Sequence, residues 1–146
     1  MALTITQINT AITNALATAT GLTYHQDVSE LTEGIQDLPV LQVYWQSSAP
    51  ANTESDRFTS SIGVAQIDHI FHADLYAHQR SDISTDMAAL FPLVDAVIDR
   101  LQAQQHQNFF SLAGVKGFAW RIERLQFQTG DALYIGARFV ITIRIF

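Results

Sequence analysis

The sequence predicts an α+β fold: a single domain over residues 1–146, with a mainly antiparallel sheet of about four strands packed with two main helices, a long central strand and a C-terminal hairpin. Three observations predict it. Residues Ile62–His78 alternate apolar and polar side chains over a long run. Apolar residues recur three and four apart near the start of the chain and again after residue 83. Two further alternating runs flank Thr129-Gly130-Asp131, the signature of a hairpin.

Taken in order, Ile5, Ile8, Ile12 and Leu16 make a narrow stripe on a helix over residues 5–19, suited to lying on a sheet or a neighbour. Thr4 is its N-cap candidate, and Gly21 can supply the left-handed residue that stops it. Residues 22–38 are acidic and weakly patterned. A strand follows Pro39 over Val40–Trp45, and Gln46–Arg57 reads as a long polar loop around Pro50 and Asn52.

In the long strand, Ala65, Ile67, Phe71, Ala73, Leu75 and Ala77 form the apolar register, and Gln66, Asp68, His72, Asp74, Tyr76 and His78 the polar one. His69 and Ile70 break the pattern. At about 3.3 Å per residue a straight strand of this length runs roughly 55 Å, against a radius of gyration of about 15 Å for a domain of this size. The strand must bend at a bulge or be covered by another subunit, and the second reading predicts a homo-oligomer.

The second helix, over residues 83–105, carries Ile83, Met87, Leu90, Val94, Val97, Ile98 and Leu101. Ser84 or Thr85 is its expected cap, and Pro92 a kink or the true first turn. Gly114-Val115-Lys116-Gly117 lacks phosphate-loop spacing and reads as a turn into a strand. There Phe118, Trp120 and Ile122 share a face, with Leu125 and Phe127 following after a bulge or face switch. In the last strand Leu133, Ile135, Ala137, Phe139, Ile141 and Ile143 fill one face, with Tyr134, Arg138, Thr142 and Arg144 on the other.

Composition excludes several function classes. The chain has no cysteine, hence no disulfide, thiolate metal site or cysteine nucleophile. Its N-terminus has neither the basic region of a signal peptide nor a continuous apolar span, so no membrane association is expected. The formal net charge is −6, with 14 acidic against 8 basic residues, and the bases are scattered. Such a surface does not grip nucleic acid but suits a channel through which DNA slides.

The one cluster resembling a chemical site is Asp68, His72, Asp74 and His78, on one face of the long strand. His72, Asp74 and His78 are the weak candidates for a metal, and Asp68, His72 and Asp74 the set a small metal-dependent or acid–base enzyme would use. The blander reading is a polar sheet face whose imidazoles bond carboxylates within the sheet or across a subunit contact. That reading expects no catalytic residue, metal or cofactor. Arg121, Glu123, Arg138 and Arg144 would face one another across the hairpin, as an ordinary solvated face or as charges that set register between copies. Trp45, Trp120 and Tyr134 read as core or interface anchors, and Phe109-Phe110 as a core anchor or a docking knob.

Gly136-Ala137-Arg138-Phe139 leading into Val140-Ile141-Thr142-Ile143-Arg144-Ile145-Phe146 resembles the end of the tail-terminator and tail-completion proteins of tailed phages. The long strand ending Asp74-Leu75-Tyr76, the central helix and the aromatic hairpin resemble them too, and the element order does so over most of the chain. The resemblance implies a sheet flanked by helices and a homohexameric ring that caps the tail tube and joins tail to head, in the virion and, during assembly, in the host cytoplasm. It implies a tail tube protein and a head-completion or neck protein as partners, with DNA passing through unread. The ring contact would then run through Asp68, His72, Asp74, Tyr76, Arg121, Glu123, Arg138 and Arg144, and the tube or neck contact through Pro50, Asn52, Glu54, Asp56 and Arg57. The histidine set is a departure from the family. A binding module of a bacterial assembly or secretion machine fits the same sequence.

Overall fold

A computed structural model describes residues 3–19, 24–26, 39–50, 66–79, 83–107, 112–129 and 132–145. The elements run α1 (Ile5–Leu16), β1 (Tyr24–Gln26), β2 (Val40–Pro50), β3 (Ile67–Gln79), α2 (Ile83–Gln107), β4 (Val115–Thr129) and β5 (Ala132–Ile145). The sheet order is β1-β2-β3-β5-β4. Strands β2, β3, β5 and β4 are antiparallel throughout, and β1 adds a short parallel pairing, Tyr24↔Val40 to Gln26↔Gln42, at the β2 side. The fold is the α+β architecture that the alternation and the two helical stripes imply.

Local chemistry sets the helix limits. Thr4 caps α1 in a reciprocal box: the Gln7 amide donates to Thr4 Oγ1 at 3.1 Å, and the Thr4 amide donates to Gln7 Oε1 at 2.9 Å. The helix stops at Leu16 with Ala17 as C-cap, earlier than a stop at Gly21 would place it; Gly21 lies outside the described residues. Helix α2 begins at Ile83, so Ser84 and Thr85 fall inside its first turn. Pro92 lies within the helix and starts nothing. The carbonyl it leaves without an intrahelical amide belongs to Ala88, and Ala88, Phe91 and Pro92 are all exposed.

Both helices lie on one face of the sheet. Ile8, Ile12 and Leu16 of α1 and Leu90, Val97 and Leu101 of α2 join Leu41, Val43, Phe71, Ala73, Leu75, Phe139, Ile141 and Ile143 in one core. Each such valine, leucine, isoleucine or phenylalanine side chain, removed from water, contributes about 1.5–3 kcal/mol before conformational entropy is set against it.

Strand β3 does not need another subunit to shelter it. It pairs with β2 on one side, from Val40↔Tyr76 to Pro50↔Ile67, and with β5 on the other, from Ile67↔Ile145 to Gln79↔Tyr134. Irregularities between Trp45 and Ser47 and between Tyr76 and His78 bend the ladder. The described strand begins at Ile67; residues 62–65 lie outside the described residues. His69 does not break the alternation, because it keeps the parity of Phe71 and is buried on the helix side.

Two further boundaries differ from the sequence reading. Gln46–Pro50, expected in a loop, continues β2 as an exposed segment, where Pro50 at the strand end is compatible with a sheet edge. No bulge separates Ile122 from Leu125: the β4–β5 register is unbroken from Gly117 to Thr129, so Leu125 and Phe127 lie on the opposite face from Ile122. The irregularity is earlier, between Val115 and Gly117. Before it Gly114 takes φ +94°, a conformation that favours glycine. Gly130-Asp131 and Phe109-Phe110 lie outside the described residues.

Candidate functional site

The second face of the sheet carries the residues singled out from the sequence, and among the described residues no helix packs on it. Register alone assembles it. One row across the strands is Gln42↔Asp74↔Arg138↔Glu123, the next Tyr44↔His72↔Val140↔Arg121, and another Ala49↔Asp68↔Arg144↔Gly117. Asp68, His72, Asp74, Tyr76, Arg121, Glu123, Arg138 and Arg144 therefore share one surface.

Its centre is a bonded triad. Arg138 donates from Nε to Asp74 Oδ1 at 2.8 Å and from Nη2 to Asp74 Oδ2 at 3.2 Å. The Tyr44 hydroxyl donates to Asp74 Oδ2 at 2.7 Å and accepts from Arg138 Nη2 at 3.3 Å. His72 Nδ1 lies 3.4 Å from the same hydroxyl, its ring edge-on to Tyr44. Asp74 is only 2% exposed, so its charge is held by partners in place of water. Burial and the bond to Asp74 push the Tyr44 phenol above its ordinary range, and the bond to Asp74 raises the already high basicity of Arg138. Burial, then the nearby Arg138 charge, pushes the His72 imidazole below the ordinary histidine value.

A second fork lies at the far end, where Arg144 donates to Asp68 from Nε at 2.8 Å and from Nη2 at 3.0 Å. It borders a cleft of about 300 Å³ that Lys116 and Thr142 also line. Arg121 pairs with Glu123 on the exposed edge. At the other end Tyr76 stacks on Phe127, centroids 4.3 Å apart and planes 7° off parallel, with Tyr134 at 6.0 Å and the Arg138 guanidinium 5.9 Å from the Phe127 ring.

This bonding decides what the cluster can do. Both oxygens of Asp68 and of Asp74 accept from arginine, and His72 approaches Tyr44, not a carboxylate. A carboxylate whose charge an arginine compensates is a weaker base and a poorer ligand for a divalent cation than a free one. Among the described residues no group of three histidines, cysteines or acids is placed to hold a metal. For His78 only the backbone pairing with Ile135 is described.

The remaining expectations separate. His69 faces the helix side, where its Nδ1 lies 2.5 Å from Ser48 Oγ, which accepts from Trp45 Nε1 at 2.8 Å; burial lowers its basicity. Trp45 is exposed, Trp120 half-buried on the helix side, and Tyr134 half-buried beside the aromatic stack. Pro50 ends β2, whereas Asn52, Glu54, Asp56 and Arg57 lie outside the described residues. Sequence reading missed Tyr44 and Gln42. Their signal was the parity of β2, which sets them opposite Leu41 and Val43. No protein-family model and no curated protein matches this sequence.

Proposed function

We propose that this chain is a structural protein of a tailed phage or prophage, whose copies form a ring that terminates the tail tube and offers the surface joining tail to head. One observation carries the reading: among the described residues a whole sheet face is left without helices yet is built from mutually bonded arginines, acids and stacked aromatics. A surface so ordered before any partner arrives pays little entropy on association. The order of helix, strands, helix and hairpin supports it too, being the order on which the resemblance rests. The length of β3, which first suggested oligomers, no longer contributes, because its own chain pairs it on both sides. The bonded carboxylates count against the alternative of a small enzyme using Asp68, His72 and Asp74.

In this reading the ring stops tube growth sterically, and the excess of acids keeps DNA sliding through it without a sequence-specific grip. The experiment is light scattering and electron microscopy of the protein alone and with polymerising tail tube. Annular particles of about six copies, and tubes whose growth ends when the protein is added, are expected. A monomer at high concentration that leaves tube growth unchanged overturns the proposal.

A further inference from the structure

We infer that a second copy of this chain pairs with the outer edge of β4, antiparallel and centred on Ile122. Strand β4 ends the sheet, and among the described residues no strand pairs with its outer side. An edge of this length is a template for another strand unless it is short, bulged or broken by proline. The irregularity in β4 is confined to its start, and from Gly117 onward the register is unbroken and contains no proline.

The sequence of the edge is complementary to itself. With Ile122 opposite Ile122 of the second copy, every residue meets the one equally far on the other side of the centre. Arg121 then faces Glu123, and Glu123 faces Arg121, so a two-fold contact repeats the attraction. Ala119 faces Leu125, small against large, and Trp120 faces Arg124, a cation beside an indole. A shift of one residue along the strand would set Arg121 against Arg124 or lose the charge pairing. The side chains that carry the register are accessible: Arg121 is 66% and Glu123 40% exposed, and their present contact is with each other on one strand. A two-fold axis through Ile122 maps the outward-facing amides and carbonyls of the central residues Ala119 to Leu125 onto their equivalents, so the ladder extends across the pair there. The contact is isologous and closes with two copies. It is independent of the ring reading.

The absence of native cysteine makes the register measurable. Chains carrying Arg121→Cys are mixed with chains carrying Glu123→Cys and oxidised mildly. The mixture is expected to give a disulfide-linked dimer, and each variant alone little, because like positions sit diagonally, too far for a disulfide. Equal crosslinking of either variant alone, or none in the mixture, overturns the inference. Both sites are surface positions, and circular dichroism checks that the variants fold. Independently, Glu123→Arg is expected to weaken pairing about tenfold, and adding Arg121→Glu to restore it. Unchanged association of Glu123→Arg overturns it as well. Neither result depends on whether the protein caps a tail.

Discussion

Arg138 holds Asp74 by two hydrogen bonds across neighbouring strands, 2.8 and 3.2 Å long, with the carboxylate 2% exposed. A buried charge whose partner is removed costs far more than the pair contributes in place. Arg138→Met is therefore expected to lower stability by about 3 kcal/mol at neutral pH, since among the described residues only the Tyr44 hydroxyl then remains to donate to the Asp74 carboxylate. Adding Asp74→Leu to it should recover most of that loss, an apolar pair being tolerated where a lone charge is not. Urea unfolding of the two variants decides the matter. A loss below about 1 kcal/mol in the single variant would be that of a solvated surface pair.

Tyr44 gives the alkaline limb of stability. Its folded-state pKa is raised by burial and by Asp74, and that of Tyr76 is raised by burial. A raised value means the neutral phenol favours the fold. The contribution is complete below the ordinary value of 10.0 and is lost as pH rises beyond it, because the unfolded chain ionises first. Absorbance titration of the four tyrosines should show Tyr44 and Tyr76 ionising late. Tyr44→Phe should lose about 1.5 kcal/mol, the usual worth of a hydrogen bond to a charged acceptor, and show a shallower alkaline decline. Ionisation of every tyrosine near 10 contradicts this account.

His69 and His72 set the acid limb. Both are pushed below the ordinary 6.5 by burial, so protonation favours the unfolded chain. Their stabilising contribution is present above pH 6.5 and is lost as pH falls through their folded values. Stability measured from pH 7 to 5 should decline, and His72→Gln should flatten part of that slope while leaving the value at pH 7 within about 1 kcal/mol. Imidazole resonances titrating above 6.5 would reverse the sign and refute the prediction.

How far the sequence could be read depends on whether the signal is local. The parity of Phe71, Ala73 and Leu75 and the stripe of Ile8, Ile12 and Leu16 are local, and all six side chains are buried as their spacing requires. Strand Gln46–Pro50 was hidden because its exposed, polar side chains carry no alternation; its pairing with residues 67–70 holds it. Strand β1, with three residues, has no pattern of its own. Leu125 and Phe127 look like core that needs a bulge, yet they lie on the second face, where Phe127 stacks on Tyr76. The site divides the same way. That acids and arginines share a face follows from parity, whereas which arginine holds which acid follows from the β3–β5 register, joining residues 64 and 76 positions apart.

Gly136 tests the junction of the aromatic stack with the sheet. A Cβ at this position would come within 1.9 Å of the Leu75 carbonyl oxygen and 2.8 Å of Phe127 Cε2. The first contact is with backbone, so no rotamer change relieves it, and β3 and β5 must separate where Tyr76 pairs with Gly136. Gly136→Ala is accordingly expected to cost about 3 kcal/mol or more, at the upper end of overpacking effects, although it adds a single methyl group. Gly117→Ala is the control on the neighbouring strand, since a Cβ there meets nothing within 4 Å. Near-ultraviolet dichroism should report the displaced Tyr76–Phe127 stack in the Gly136 variant and remain native in the Gly117 variant. Equal stability of the two would mean that β3 and β5 do not approach as closely at Gly136 as the ladder requires.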